Sequence, residues 1–315
     1  MNMKPIVRTC AALVALNCSG FAFAGGEGWS SDFAASKKEA AESKKDLLID
    51  FTGSDWCGWC IKLNKEVFSQ DTFKAGVKDK FVLVELDYPQ DKSKLSAETI
   101  KQNEELSKAY SVQGFPTILL TDADGKPFAA TGYEAGGPEA YVKHLDELRA
   151  KKVARDEAFA TAAKASGVEK AKALVAALEA MGLESSMISN FYGHVAEQIK
   201  AADPKDETGF AKATAAKARL ATFQSELQAC AQKGDHDGAL ALVDKTLKEG
   251  GFSTEDTQQI MITRTMIFNQ QKKFDEALKA LDEAKAFAPD SEMAAGMDAM
   301  KARIEASKKA AADAK

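Results

Sequence analysis

Fourteen residues, Leu47-Leu-Ile-Asp-Phe-Thr-Gly-Ser-Asp-Trp-Cys-Gly-Trp-Cys60, constrain this chain more than any other stretch. An apolar run of strand length, Leu47–Thr52, gives way to a short polar turn and a C-x-x-C pair, and Ile61–Phe68 continues with helical character. At such a junction Cys57 sits at the N-terminus of the helix, where free N–H groups and the helix dipole stabilise a thiolate. Lowering a thiol from about 8.5 to about 7 stabilises the anion by roughly 2 kcal/mol. Cys60 lies one turn further in, placed to attack a mixed disulfide and release the partner.

Other uses of a C-x-x-C need partners that this sequence does not offer. Structural zinc takes four ligands. The one cysteine after the pair is Cys230, and His144, His194 and His236 are scattered singly. Haem attachment needs histidine directly after the second cysteine, where Ile61 stands. A structural disulfide closing so short a loop stabilises little. Redox chemistry fits the strand–C-x-x-C–helix setting best. No Gly-rich phosphate loop, nucleophile elbow, catalytic carboxylate pair or histidine pair stands out, so no metal and no cofactor are expected.

A length of 315 residues suits two domains. With 45% hydrophobic and 28% charged residues the chain is globular in composition, and a net charge of −5 gives no basic footprint for nucleic acid. Residues 1–24 read as a cleavable secretory signal. Lys4 and Arg8 form the positive start, Thr9–Ala24 is uncharged and mostly small or apolar, and Ala22-Phe23-Ala24 makes the cleavage site. The apolar run is short for a membrane span, which argues against a retained anchor. Asn17 is bulkier than the residue expected before a lipidated cysteine, which argues against an anchor at Cys18. Cleavage leaves 291 of the 315 residues, takes the charge from −5 to −7 by removing Lys4 and Arg8, and leaves Cys57, Cys60 and Cys230 of the five cysteines. The expected location is secreted or periplasmic, an oxidising compartment in which close cysteines pair.

Composition changes near residue 150, so the expected domains are 25–150 and 151–315. Trp29, Trp56 and Trp59 all precede that point, as do five of the seven prolines. The first part alternates helical Asp32–Lys45, strand Leu47–Thr52, helix Ile61–Phe68, strand Phe81–Leu86, helix Ser96–Tyr110 with Leu106 and Tyr110 on one face, and strand Thr117–Leu120. An Asp124-Gly125 hairpin turn, strand Phe128–Thr131 and a closing helix Gly137–Leu148 complete it. Strands alternating with helices imply an α/β layer structure. The second part is helical throughout. Lys233–Ala239 and Lys273–Ala277 are turn-like segments of similar sequence, each leading into an amphipathic run. Phe268, Phe274, Ala277, Leu281, Ala284 and Pro289 fall at the spacing of a tetratricopeptide repeat, which they resemble, so tetratricopeptide-like repeats are expected near 223–290. A plain helical bundle is the alternative. Cys230 reads as a small hydrophobe in a helix, and the tail Lys308–Lys315 as a frayed end.

Trp56-Cys57-Gly58-Trp59-Cys60 resembles the W-C-G-x-C active site of the thioredoxin family, and Gly114-Phe115-Pro116-Thr117 resembles that family's later G-apolar-P-T segment. The resemblance covers about residues 30–150. It implies an α/β thioredoxin-like fold followed by the all-α, tetratricopeptide-like region, and a thiol–disulfide oxidoreductase of an envelope-located bacterial subgroup. It implies a cis peptide at Pro116 packed against the cysteine pair. It makes Asp50 the buried carboxylate that takes the proton of Cys60, and it sets the backbone at Phe115-Pro116 to pair with a substrate segment. Trp56, Gly58 and Trp59 are expected at the same docking rim, the alternative for the two tryptophans being packing around the active-site loop. Partners are then protein dithiols or disulfides and a separate membrane electron donor or acceptor. The sequence departs from the family pattern by one extra residue between Asp50 and the motif, by Trp59 in place of a common proline, and by Ile61 in place of a common lysine. Leu83 stands where many members carry a lysine near the buried aspartate, which leaves Asp50 less compensated, and residues 88–113 are longer than usual. A helical-repeat adaptor, in which the thioredoxin-like part is regulatory or structural, is the alternative function.

Overall fold

The computed structural model describes residues 28–313; the expected signal at 1–24 and the last residues of the expected tail lie outside the described residues. The described residues divide into two compact units. One takes in the chain up to Glu157 together with Ala177–Gly193, and the other Ala158–Ala176 and the chain from His194.

The first unit is built on a sheet of five strands in the order β1-β3-β2-β4-β5: β1 (Trp29–Ser30), β2 (Asp46–Thr52), β3 (Phe81–Asp87), β4 (Thr117–Thr121) and β5 (Pro127–Thr131). β1, β3 and β2 run parallel, and β4 and β5 continue antiparallel. β2 is buried at every position, as expected of a central strand covered on both faces. One face carries Leu47, Ile49, Phe51, Val84 and Leu119 against Ala40 of α1 (Phe33–Ser43) and Tyr110 at the end of α4 (Ala97–Ala109). Asp32 caps α1 by accepting from Ala35 N at 2.9 Å, and Ser96 caps α4 by accepting from Thr99 N at 3.1 Å; both sequence segments thus start one residue before their helices. The second face carries an aromatic cluster in which Trp29, Phe73 and Tyr141 meet around Phe68, with ring centroids 4.9–5.7 Å from the Phe68 ring.

Several elements differ from the sequence expectation. The helix after the cysteines starts at Gly58 as α2 (Gly58–Leu63) and passes into a π-helical turn, Asn64–Phe68, in which Ser69 N–H reaches back to Asn64 C=O at 2.9 Å. β1 and α3 (Asp71–Val77) are too short to leave a periodic signal. The closing helix does not end at Leu148. α5 runs over Gly137–Lys164, because nothing from Glu139 to Ser166 is a glycine or proline and its Ala, Lys, Glu and Arg residues favour helix.

The rest of the chain is all helical: α6 (Gly167–Met181), α7 (Ser185–Ala202), α8 (Phe210–Lys233), α9 (His236–Glu249), α10 (Thr254–Gln270), α11 (Phe274–Phe287) and α12 (Glu292–Asp313). Within the second unit Phe223, Val243, Ile260 and Ile267 form one core, against which the half-buried, free Cys230 packs. Ala277, Leu281, Ala284, Met297 and Ile304 form another, flanked by Phe268 and Phe274. The expected fraying at the tail is corrected as far as Asp313: α12 continues there, and Lys308 pairs with Asp275.

Candidate active site

β2 delivers the chain into the site and Gly53 turns it. Trp56 N and Cys57 N donate to Gly53 C=O at 3.2 and 2.9 Å. A Cβ on Gly53 would stand 2.6 Å from the Trp56 indole, so only glycine lets the ring lie against the turn. The turn is pinned from outside by the segment after β3. Asp87 accepts from Ser54 N at 2.9 Å and from Ser54 Oγ at 2.6 Å. Asp55 accepts from Gln90 N at 2.9 Å and Lys94 Nζ at 3.1 Å, and the Gln90 N–H leads the causes that lower its carboxyl below the usual range. Trp56 Nε1 donates to Tyr88 C=O at 2.8 Å. The extra residue before the motif is thereby absorbed in a tied loop.

Cys57 is the N-cap of α2: its backbone is extended, and its Sγ accepts from Cys60 N at 3.2 Å. Cys57 and Cys60 are joined as a disulfide with their Cα atoms 5.2 Å apart. Both are buried, whereas Gly58 and Trp59 between them face solvent. The Phe115–Pro116 peptide is cis. The Phe115 ring meets Trp56 at 5.6 Å and Tyr88 at 5.1 Å, which brings the residue before Cys57 to the residue before Pro116. Trp59 is 57% exposed. Its ring lies 5.0 Å from Tyr133, and Lys62 Nζ sits 5.1 Å from the first ring and 4.7 Å from the second. Tyr133 donates to Glu66 Oε2 at 2.7 Å, so the rim beside the cysteines is aromatic with a neutralised charge pair.

Asp50 lies in the middle of β2. Because side chains alternate along a strand, it points away from Ile49 and Phe51, toward the face that carries Tyr141. It is 4% exposed. Burial pushes its carboxyl well above the usual range, and the charges of Glu85 and Asp87 add to the rise. Its Oδ1 has no hydrogen-bond donor among the described residues. The β2–β3 register sets Leu83 opposite Leu48 and Glu85 opposite Asp50, so the position facing the aspartate is itself acidic.

The sequence reading singled out Cys57, Cys60, Asp50, Trp56, Gly58, Trp59, Phe115 and Pro116. The disulfide joins the cysteines, and the Trp56–Phe115 contact joins the two motifs. It missed Asp55, Lys62, Tyr88, Tyr133, Glu85 and Asp87. Lys62 and Glu66 carried a visible i, i+4 pattern, and Glu85 stood out as a charge inside an apolar strand. The others are assembled by folding alone.

Residues 33–149 match a model described as a thioredoxin-like domain. The chain is 39% identical over 117 residues to the disulfide bond reductase DsbH of Chlamydia pneumoniae, covering 37% of this chain and 69% of that protein. It is 30% identical over 112 residues to the thiol:disulfide interchange protein DsbD of Vibrio vulnificus, covering 35% of this chain but 17% of that one. A solved structure of a DsbH oxidoreductase matches at 35% identity, over 38% of this chain and 81% of that one, with a TM-score of 0.36.

Proposed function

This chain belongs to the thioredoxin-like family, and we propose that it is a thiol–disulfide oxidoreductase that reduces protein disulfides through Cys57 and Cys60. The observation that carries the reading is the pair itself: two cysteines bonded to each other across the first turn of a helix, with the first sulfur accepting an N–H of that turn. Similarity to a disulfide bond reductase supports the reducing direction.

In the reduced protein, N–H groups at the start of α2 stabilise the Cys57 thiolate. It attacks a substrate disulfide, forming a Cys57–substrate bond and releasing one substrate sulfur as thiolate. Cys60 gives its proton to Asp50 and attacks the Cys57 sulfur. The mixed disulfide breaks, the second substrate sulfur leaves as thiolate, and the Cys57–Cys60 disulfide forms. Two electrons pass from the protein to the substrate, and the two substrate thiolates take up protons from Asp50 and water. A separate membrane-embedded donor returns two electrons to the pair; no helix among the described residues is long and apolar enough to cross a membrane itself.

The backbone at Phe115 and Pro116 pairs with the substrate segment, and Trp56, Gly58 and Trp59 form the surrounding rim. In this reading residues 25–150 hold the chemistry of a secreted or periplasmic protein and 151–315 choose its partners through tetratricopeptide-like repeats. Burial of Ala277, Leu281 and Ala284 at the seam positions of that pattern supports the repeat assignment.

Reduction of insulin disulfides by dithiothreitol tests the function. The chain should accelerate it, and the Cys57→Ser/Cys60→Ser double variant should fall to the uncatalysed rate. Equal acceleration by the two proteins would sink the proposal.

A further inference from the structure

Asp50 has a second carboxylate at its side. β2 and β3 are parallel neighbours in which Asp50 and Glu85 stand opposite one another. Opposed residues on adjacent strands project from the same face, with backbones about 5 Å apart. Both residues are 4% exposed. On the other side of β2, Asp50 stands opposite the apolar Ile118 of β4. Among the described residues Asp87 of β3 and Tyr141 of α5 also act on Asp50, and neither brings a positive charge. Asp87 is held by both donors of Ser54, and Tyr141 donates its hydroxyl to Gly132 C=O at 2.9 Å. Among the described residues Asp50 Oδ1 has no donor.

Two carboxylates side by side in a dry strand face oppose each other's ionisation, and one proton between them relieves both the repulsion and the missing donor. We propose that Glu85 is a positioning residue for the exchange reaction: beside Asp50 it makes the two carboxylates act as one buried base, which accepts the proton of the Cys60 thiol and holds it between them. The proposal rests on the assignment of Asp50 as the base for Cys60. An aspartate in water holds a proton far more weakly than a thiol does; burial raises the affinity of Asp50 first, and the charge of Glu85 raises it further toward that of the thiol it serves. The doubly ionised pair has a proton affinity closer to that of sulfur. The S–H proton passes to the pair, the electron pair stays on Cys60, and the same proton is available to the departing substrate thiolate once the mixed disulfide has broken.

Stopped-flow reaction of the full reduced chain with dithionitrobenzoate, in a Cys230→Ser background, tests this. The second-order phase reports attack by Cys57 and the first-order phase reports Cys60 expelling the second thionitrobenzoate. Glu85→Gln should move the acid limb of the first-order phase down by about one pH unit or more and slow its plateau several-fold. Glu85→Asp, which keeps the charge, should restore most of both. An acid limb in Glu85→Gln that coincides with that of the parent chain overturns the proposal. A parent chain whose second phase survives Cys60→Ser overturns the underlying exchange mechanism instead. Should Glu85→Gln fail to fold, carboxyl carbon NMR of the parent chain decides: coupled two-step titration of Asp50 and Glu85 supports the shared proton, and independent titration at ordinary values overturns it.

Discussion

At the scale of single residues, the buried carboxyl of Asp50 costs stability wherever it is ionised. Its carboxyl is raised in the folded protein above the unfolded value of about 3.9. The folded state therefore binds the proton more tightly than the unfolded chain. That contribution is complete below the unfolded value and is lost as pH rises through the folded one. Asp50→Asn removes the ionisation altogether. Its melting temperature should lie close to the parent's near pH 4 and exceed it by several degrees at pH 7–8, as read by thermal unfolding across that range. A gap that stays constant with pH would contradict the raised carboxyl. The same substitution should slow resolution by Cys60, so the stabilised variant is expected to be the poorer enzyme.

At the scale of elements, the turn between β2 and α2 shows how the cysteine pair is held. Hydrogen bonds from Ser54 and Trp56 to Asp87 and Tyr88, and from Gln90 and Lys94 to Asp55, fasten the turn to the segment after β3. The indole of Trp56 also rests on Gly53. A methyl group there overlaps the ring, so Gly53→Ala should displace Trp56, break its bond to Tyr88 and cost about 1–3 kcal/mol. Tryptophan emission recorded in a Trp59→Phe background should shift to the red, and the rate of Cys57 attack should fall. Unchanged emission would mean that the turn tolerates the methyl by moving elsewhere. The sequence indicated both ends of this device, the motif and the longer stretch 88–113, but not the bonds between them, because those join residues 32–39 positions apart.

At the scale of the whole molecule, the change of composition near residue 150 and the packing of the chain differ. α5 crosses that point unbroken. Ala177–Gly193 belongs with the first unit. Phe191 stacks on Tyr110 at 4.7 Å, and Met187 is buried in the same core. Tyr192 Oη donates to Pro127 C=O at 2.8 Å and accepts from Arg155 Nη1 at 2.9 Å. A chain of residues 28–150 keeps the sheet and the cysteine pair but loses these contacts. Burial of two or three large side chains is worth about 4–6 kcal/mol. A chain of residues 28–202 should therefore melt well above one of 28–150, by ten degrees or more, while both reduce insulin disulfides at temperatures where they are folded. Equal melting temperatures would show that Ala177–Gly193 adds nothing to that unit.

By itself the sequence determined what local chemistry encodes: the strand–turn–helix around Cys57 and Cys60, the caps at Asp32 and Ser96, the Asp124-Gly125 turn, and the helical second half. Each depends on residues within a turn or two of one another, so spacing and residue type suffice. The tertiary structure decided which partners meet. It set Glu85 rather than Leu83 opposite Asp50, carried Tyr133 to Trp59 and Lys62, and drew Phe191 and Tyr192 onto a core that begins at Phe33. Strand register, the crossing of loops and the docking of a helix follow from burying the most apolar surface over the entire chain at once. No short window of residues contains that information, and for this protein the environment of its buried acid lies there.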